Sequence, residues 1–191
     1  MVRKEKKSKA GVIMAALIAF IMVGSILGYV SMDRQTQYKY NDIKFIQEQN
    51  GWSAIINNAR LNFYYLPQEV EQITLSPDVT SALLNKPEID TTSKVNDTFS
   101  EEIALAQYTM ALTLSNVNVY TMQGFTTNNT FNVTIITCKD STPAVPVIFF
   151  QQSNETKVTL QENCIIAEAR NNLDILRIKD RLLYSILNII E

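Results

Sequence analysis

The sequence contains no histidine. That removes Ser-His-Asp and Cys-His catalysis and every imidazole zinc ligand, and leaves carboxylate, lysine or metal-assisted chemistry. Glycine is nearly as scarce: of five in 191 residues, only Gly51 and Gly124 lie beyond residue 30. Neither belongs to a GxGxxG or Walker-type loop, so there is no glycine-rich cradle for a phosphate. The two cysteines, Cys138 and Cys164, form no CxxC, which excludes a thioredoxin-like redox role. Cations are sparse once the first ten residues are set aside. Arg3, Lys4, Lys6, Lys7 and Lys9 against Glu5 give that tail net +4, so the rest of the chain, in a total of −2, carries net −6. Without a basic stripe the chain is not expected to bind nucleic acid. No acidic cluster has EF-hand spacing, and no cofactor or metal is expected.

What the chain does have is Val12 to Val30, VIMAALIAFIMVGSILGYV, 19 residues without a charge. As a helix it spans about 28 Å, close to the roughly 30 Å hydrocarbon core of a bilayer. The basic flank keeps the N-terminus in the cytoplasm by the positive-inside rule. The expected organisation is a cytoplasmic tail at 1–11, a transmembrane signal anchor at 12–30 and an extracytoplasmic domain at 31–191 of a cell-membrane protein. A cleaved signal peptide has a shorter apolar region, roughly 7–15 residues, ending in a small-x-small site. Gly28-Tyr29-Val30-Ser31-Met32 is a poor site of that kind. A pilin-type leader cut near Ala10 or Gly11 would leave the helix as an assembly spine, but no acidic residue stands early in the apolar run. Gly24-x-x-x-Gly28 is a close-approach motif that points to homodimerisation through the anchor.

An exterior location gives other features a meaning. There, Cys138 and Cys164 are expected to form a disulfide, closing a loop of about 27 residues at a gain of about 3.5 kcal/mol in the chain-entropy model. Four N-x-Thr sequons, at Asn96, Asn128, Asn132 and Asn154, become glycosylation candidates.

The residue pattern predicts an α+β fold, an N-terminal transmembrane helix followed by a mixed or antiparallel sheet domain with two or three helices, closed by a C-terminal amphipathic helix. Residues 38–66 read as a β-meander: Asn50-Gly51 marks one hairpin, Asn57-Asn58 the next, and Trp52, Ala54 and Ile56 share a face with Leu61, Phe63 and Tyr65. That aromatic face reads as the core side of the sheet, with a ligand platform as the sharper alternative. Residues 67–116 read as a helical middle, one helix capped by Ser76 before Pro77 and a second starting at the capping box Thr98-x-x-Glu101, with Ser100 as a rival cap. Residues 117–170 read as disulfide-tied strands, with Asn116–Thr127, Phe131–Cys138, Val145–Gln151 and Lys157–Ala167 extended. Residues 173–190 read as the last helix. Half its circumference is apolar, with Asp174, Arg177, Asp180, Arg181, Ser185 and Asn188 opposite and Lys179 inside the apolar arc.

Candidate acids for an enzyme are Asp140, Glu162, Glu168 and Asp180. Asp140 and Glu162 each lie two residues from a cysteine, so the bridge would bring them near one another. Lys179 is a candidate for a buried base. The basic leader, the anchor, the Asn50-Gly51-Trp52 hairpin, the Asn163-Cys164-Ile165-Ile166 segment and the run Asp180 to Tyr184 together resemble small single-pass membrane-anchored proteins of unassigned function from archaea of reduced genome. The resemblance implies a cell-envelope location and supplies no catalytic residues; the Asn- and Thr-rich middle departs from it. The function expected is a non-enzymatic binding or assembly module of the cell envelope, with the bilayer and a protein or envelope component as partners. An anchored hydrolase or isomerase using carboxylates is the alternative, and a pilin-like filament subunit the second alternative.

Overall fold

The computed structural model describes residues 9–32 and 36–190; within the first helix, side chains are described for Gly11 and residues 13–25. The chain forms two units, divided after Thr36. The first is one helix, α1 (Lys9–Met32), 24 residues long and so about 36 Å. Every side chain described along it is exposed. Among the described residues no helix is long and apolar enough to cross a membrane; the expected span at 12–30 extends past the described side chains and stands on the sequence. A β-carbon on Gly24 would meet nothing within 4 Å. The surroundings of Gly28 lie outside the described residues.

The second unit is α+β, built from two sheets. Strands β1 (Gln37–Tyr40), β2 (Ile43–Glu48), β3 (Gly51–Ile56) and β4 (Ala59–Phe63) form an antiparallel meander in sequence order. The Asn57-Asn58 turn is as expected, with φ of 52° and 64°. The first hairpin differs. Glu48 pairs with Gly51, so the loop is Gln49-Asn50 and Gly51 opens β3. Gly51 has φ 145°, and a β-carbon there would lie 2.2 Å from the Phe63 carbonyl oxygen on β4. Gly51→Ala is therefore expected to cost about 2–4 kcal/mol in urea unfolding, combining the backbone strain with the clash. A loss below about 0.5 kcal/mol, within the range of ordinary surface substitutions, would show that the hairpin relaxes freely.

Short helices α2 (Pro67–Val70) and α3 (Pro77–Leu83) follow. Ser76 caps α3 as expected, its Oγ accepting from Val79 N at 3.4 Å. Strand β5 (Asp90–Ser93) leads to α4 (Ser100–Ser115), β6 (Gln123–Phe125), β7 (Val147–Gln152), β8 (Lys157–Gln161), β9 (Cys164–Ala169) and α5 (Asn172–Ile186). The sheet order is β6-β5-β7-β9-β8; β8 is antiparallel to β9 and the other pairings are parallel. Thr98 does not cap α4: Phe99 occupies that position, and Asp97 Oδ1 accepts from Phe99 N at 3.0 Å.

The strands expected at 116–127 and 131–138 are largely absent. Only Gln123–Phe125 is strand in the first; the second touches β6 through an isolated bridge between Phe125 and Ile135, and Cys138–Asp140 is a 3₁₀ turn. The Cys138–Cys164 disulfide is present, with Cα atoms 5.2 Å apart, and ties that turn to the start of β9. Beneath it lies a small cluster of Ile136, Val147, Cys164 and Ile166 on one face of the mixed sheet.

The main core lies on the other face. Ile148, Phe150, Ile165 and Ala167 join the inward side of the meander, Phe45, Ala54, Leu61 and Phe63, in one cluster. Helix α5 runs through it, packed against β9, α2, α3 and α4. Tyr184 stacks on Phe63 with ring centroids 4.6 Å apart and meets Phe45 edge-on at 6.1 Å. The apolar arc of α5 is buried as expected. Its polar half, which the helical wheel assigns to solvent, is largely buried too, at Asp174, Asp180, Arg181 and Ser185.

Asparagine takes over the work of the missing glycines. Seven asparagines, among them Asn85, Asn118 and Asn188, have positive φ among the described residues. Asn118 and Asn188 end α4 and α5 in paired 6→1 and 5→2 hydrogen bonds: Val119 N to Leu114 O and Asn118 N to Ser115 O, then Ile189 N to Tyr184 O and Asn188 N to Ser185 O. This is the Schellman stop, which glycine usually supplies and asparagine tolerates at modest cost.

Candidate binding groove

Lys179 and Asp180, two of the candidates for chemistry, form an ion pair with both side chains at 1% exposure or less. Asp180 Oδ2 also accepts from Tyr64 N at 2.8 Å and Tyr65 N at 2.9 Å. Burial pushes the Asp180 carboxyl upward; the Lys179 ammonium and the two backbone donors oppose that. Lys179 Nζ lies 4.9 Å from the centre of the Tyr64 ring. Arg181 Nε donates to Ile73 O at 3.0 Å, and Tyr184 Oη donates to Tyr65 O at 2.5 Å. These side chains all serve the chain leaving the meander, residues 64–73, whose backbone groups have no sheet partner there. A buried polar group needs a partner, and α5 supplies them. The pair is sealed structure without access for a substrate.

The remaining candidate acids do not converge. Asp140 accepts from Thr137 N and Oγ1, both at 2.8 Å, which holds its carboxyl below the usual range and shapes the 3₁₀ turn. Glu162 is exposed in the β8–β9 turn at φ 56°. No hydrogen bond or ion pair joins the two among the described residues. Glu168 lies 3.8 Å from Lys157. Among the described residues no group of three His, Cys, Asp or Glu side chains is placed to hold a metal ion. The sequon asparagines Asn96, Asn128, Asn132 and Asn154 are all exposed, although the hydroxyl of Thr156, in the last sequon, is occupied by Asp174 Oδ2 at 2.5 Å.

A groove of about 530 Å³ opens where the meander meets α4. One wall is the β2–β3 hairpin, with Gln49, Asn50 and Trp52; the groove is also lined by Thr109, Leu112, Thr113 and Asn116 of α4, by Phe63 and Tyr64, and by Asn62 on the outward face of the β4 edge. Trp52 is half-buried because it stands at the open end of the meander's inward face, beyond the ring cluster around Phe63. At the rim, Glu48 Oε1 is held by Arg60 and by Ser53 Oγ at 2.9 Å. Those contacts keep the Glu48 carboxyl below its ordinary value, so the pair is ionised and mutually neutralised. The volume falls inside the range of about 300–1,000 Å³ typical of small-ligand sites.

The groove continues onto an exposed stripe of α4. Leu105, Tyr108 and Leu112, at i, i+3 and i+7, lie within about 60° of one another around the helix and are 39%, 57% and 48% exposed. The sequence holds the signal for this face in an absence that periodicity does not register. From Ile103 to Cys138 there is no charged residue, although charged residues make up 19% of the chain. That stretch carries seven of the nine large apolar side chains exposed among the described residues of the domain, three of them on α4. A core helix justifies apolar residues on its inner side; it does not account for uncharged ones facing water. No family model, curated protein or solved structure matches the chain.

Proposed function

We propose that the chain is a membrane-anchored, extracytoplasmic binding or assembly module of the cell envelope that catalyses no reaction, with the α4 side of its domain as the binding face. The observation that carries this reading is the charge-free stretch 103–138, whose helix α4 shows Leu105, Tyr108 and Leu112 to water and brings Leu112 to the Trp52 groove. The anchor rests on the apolar run at 12–30 and on the length of α1. The resemblance to envelope proteins fits the same location. Nothing favours the hydrolase or isomerase alternative, because its acids are scattered or sealed in the core.

Photo-crosslinking in intact membranes tests the reading. A photoreactive side chain at Tyr108 is expected to give a discrete adduct, and the same group at Glu155, an exposed and charged position, is expected to give none. Equal labelling from both positions, or none from Tyr108, would overturn the assignment of this face.

A further inference from the structure

We propose that the groove between the meander and α4 binds an uncharged oligosaccharide, one pyranose ring stacked on Trp52 and its hydroxyls held by side-chain amides. This rests on the reading that the α4 side of the domain is its binding face, and adds the class of ligand. Three observations carry it. The first is the ring: Trp52 is the single tryptophan of the chain, and it is only half-buried in the one large groove it lines. A pyranose has an apolar face of C–H groups that packs on an indole, and removing both surfaces from water is favourable.

The second is the polar complement. Gln49 and Asn50, in the hairpin loop beside Trp52, line the groove, as does Asn62 on the outward face of the β4 edge, and their amides make no hydrogen bond within the described residues. Asn116 uses its Nδ2 on Leu112 O at 3.1 Å, which leaves its oxygen to accept. Thr109 and Thr113, which also line the groove, give their protons to the carbonyls of Leu105 and Thr109, so their oxygens keep only accepting capacity. An amide offers donors and an acceptor on one planar group, which matches neighbouring hydroxyls that each donate and accept.

The third is charge. Glu48 and Arg60 are the charged side chains lining the groove, and each satisfies the other. A phosphate or acidic sugar would meet Glu48, and a cation would meet Arg60; an uncharged polar ligand meets no unpaired charge. The competing occupant is an extended peptide added beside β4, which is an edge strand of the meander. Five residues of β4 offer such a peptide few ladder bonds. The groove wall supplies a ring and amides where strand addition needs pockets for alternate side chains.

Because Trp52 is the only tryptophan, its emission reports on the groove directly. The full chain in nanodiscs is titrated with chitotriose and maltotriose, with a trigalacturonate as the acidic comparison and a capped uncharged hexapeptide as the peptide comparison. At least one neutral trisaccharide is expected to shift Trp52 emission saturably, and the acidic sugar is expected to have no effect. Gln49→Ala is expected to weaken that binding about tenfold, the scale of one lost hydrogen bond, while Ile55→Ala, outside the groove, leaves it unchanged. Unchanged emission with every neutral sugar up to about 10 mM would overturn the saccharide assignment, as would wild-type affinity in Gln49→Ala. A shift produced by the peptide alone would also overturn it, while leaving the binding face itself in place; the crosslinking at Tyr108 judges that face separately.

Discussion

Replacing Asp180 by alanine is expected to destabilise the domain by about 3–5 kcal/mol, the cost of leaving one half of a buried ion pair without the other. Lys179 would be left at 1% exposure with no carboxylate beside it, and the Tyr64 and Tyr65 N–H groups would lose their common acceptor. For a domain of this size the loss corresponds to a fall in Tm of roughly 6–20 °C, readable by circular dichroism. Lys179→Met gives a different signature. Without the ammonium, burial acts on Asp180 with less opposition, and its folded carboxyl titrates above the unfolded value of about 3.9. A carboxyl raised on folding adds stability below its unfolded pKa and loses it as pH rises through the folded one. The variant is therefore expected to be more stable at pH 4 than at pH 7, relative to the parent chain. A pH-independent loss would show that the two backbone donors alone keep Asp180 ionised, and a loss below about 1 kcal/mol in Asp180→Ala would show that the pair is not sealed.

The second large effect is expected at the disulfide. Cys138→Ala combined with Cys164→Ala should lower stability by about 3.5 kcal/mol, since the bridge spans 26 residues of sequence and otherwise restricts the unfolded chain. The loss should be uneven. Residues 126–142 hold to the sheet by few backbone bonds, such as Ile136 N to Phe125 O at 2.9 Å, so their amides should exchange faster once the clasp is gone. Amides of α5, which is buried against several elements, should slow or quicken only with global stability. Uniform acceleration across the domain would show that the bridge supports the main core and not this segment.

Where local chemistry decides a structure, the residues announce it. Asn57-Asn58 made its turn, Ser76-Pro77 began α3, and an even cysteine pair formed its bridge. Where distant groups decide, the chain is silent. The polar half of α5 looks solvent-facing on a helical wheel because its acceptors and donors, Ile73 O and the Tyr64 and Tyr65 N–H groups, stand 108 to 116 residues away. The segment 131–138 has the β-forming composition of a strand, but it meets the sheet through a single bridge and then turns at Cys138. The groove was half legible. Trp52 and its sheet face follow from alternation, but which helix would face them, and that this helix would show Tyr108 and Leu112 to water, depends on packing that no window of sequence contains.

Helix α5 also sets an order of events in time. A ribosome delivers Asn172, the first residue of α5, more than a hundred residues after it has delivered Phe63, the ring on which Tyr184 stacks. Until then the meander has its hairpins, but Phe45 and Phe63 lack the Tyr184 ring and the core lacks the apolar face of α5. Long-range closure of this kind is slow and leaves apolar surface open while synthesis continues. A chain that ends before α5 is therefore expected to leave that apolar surface exposed.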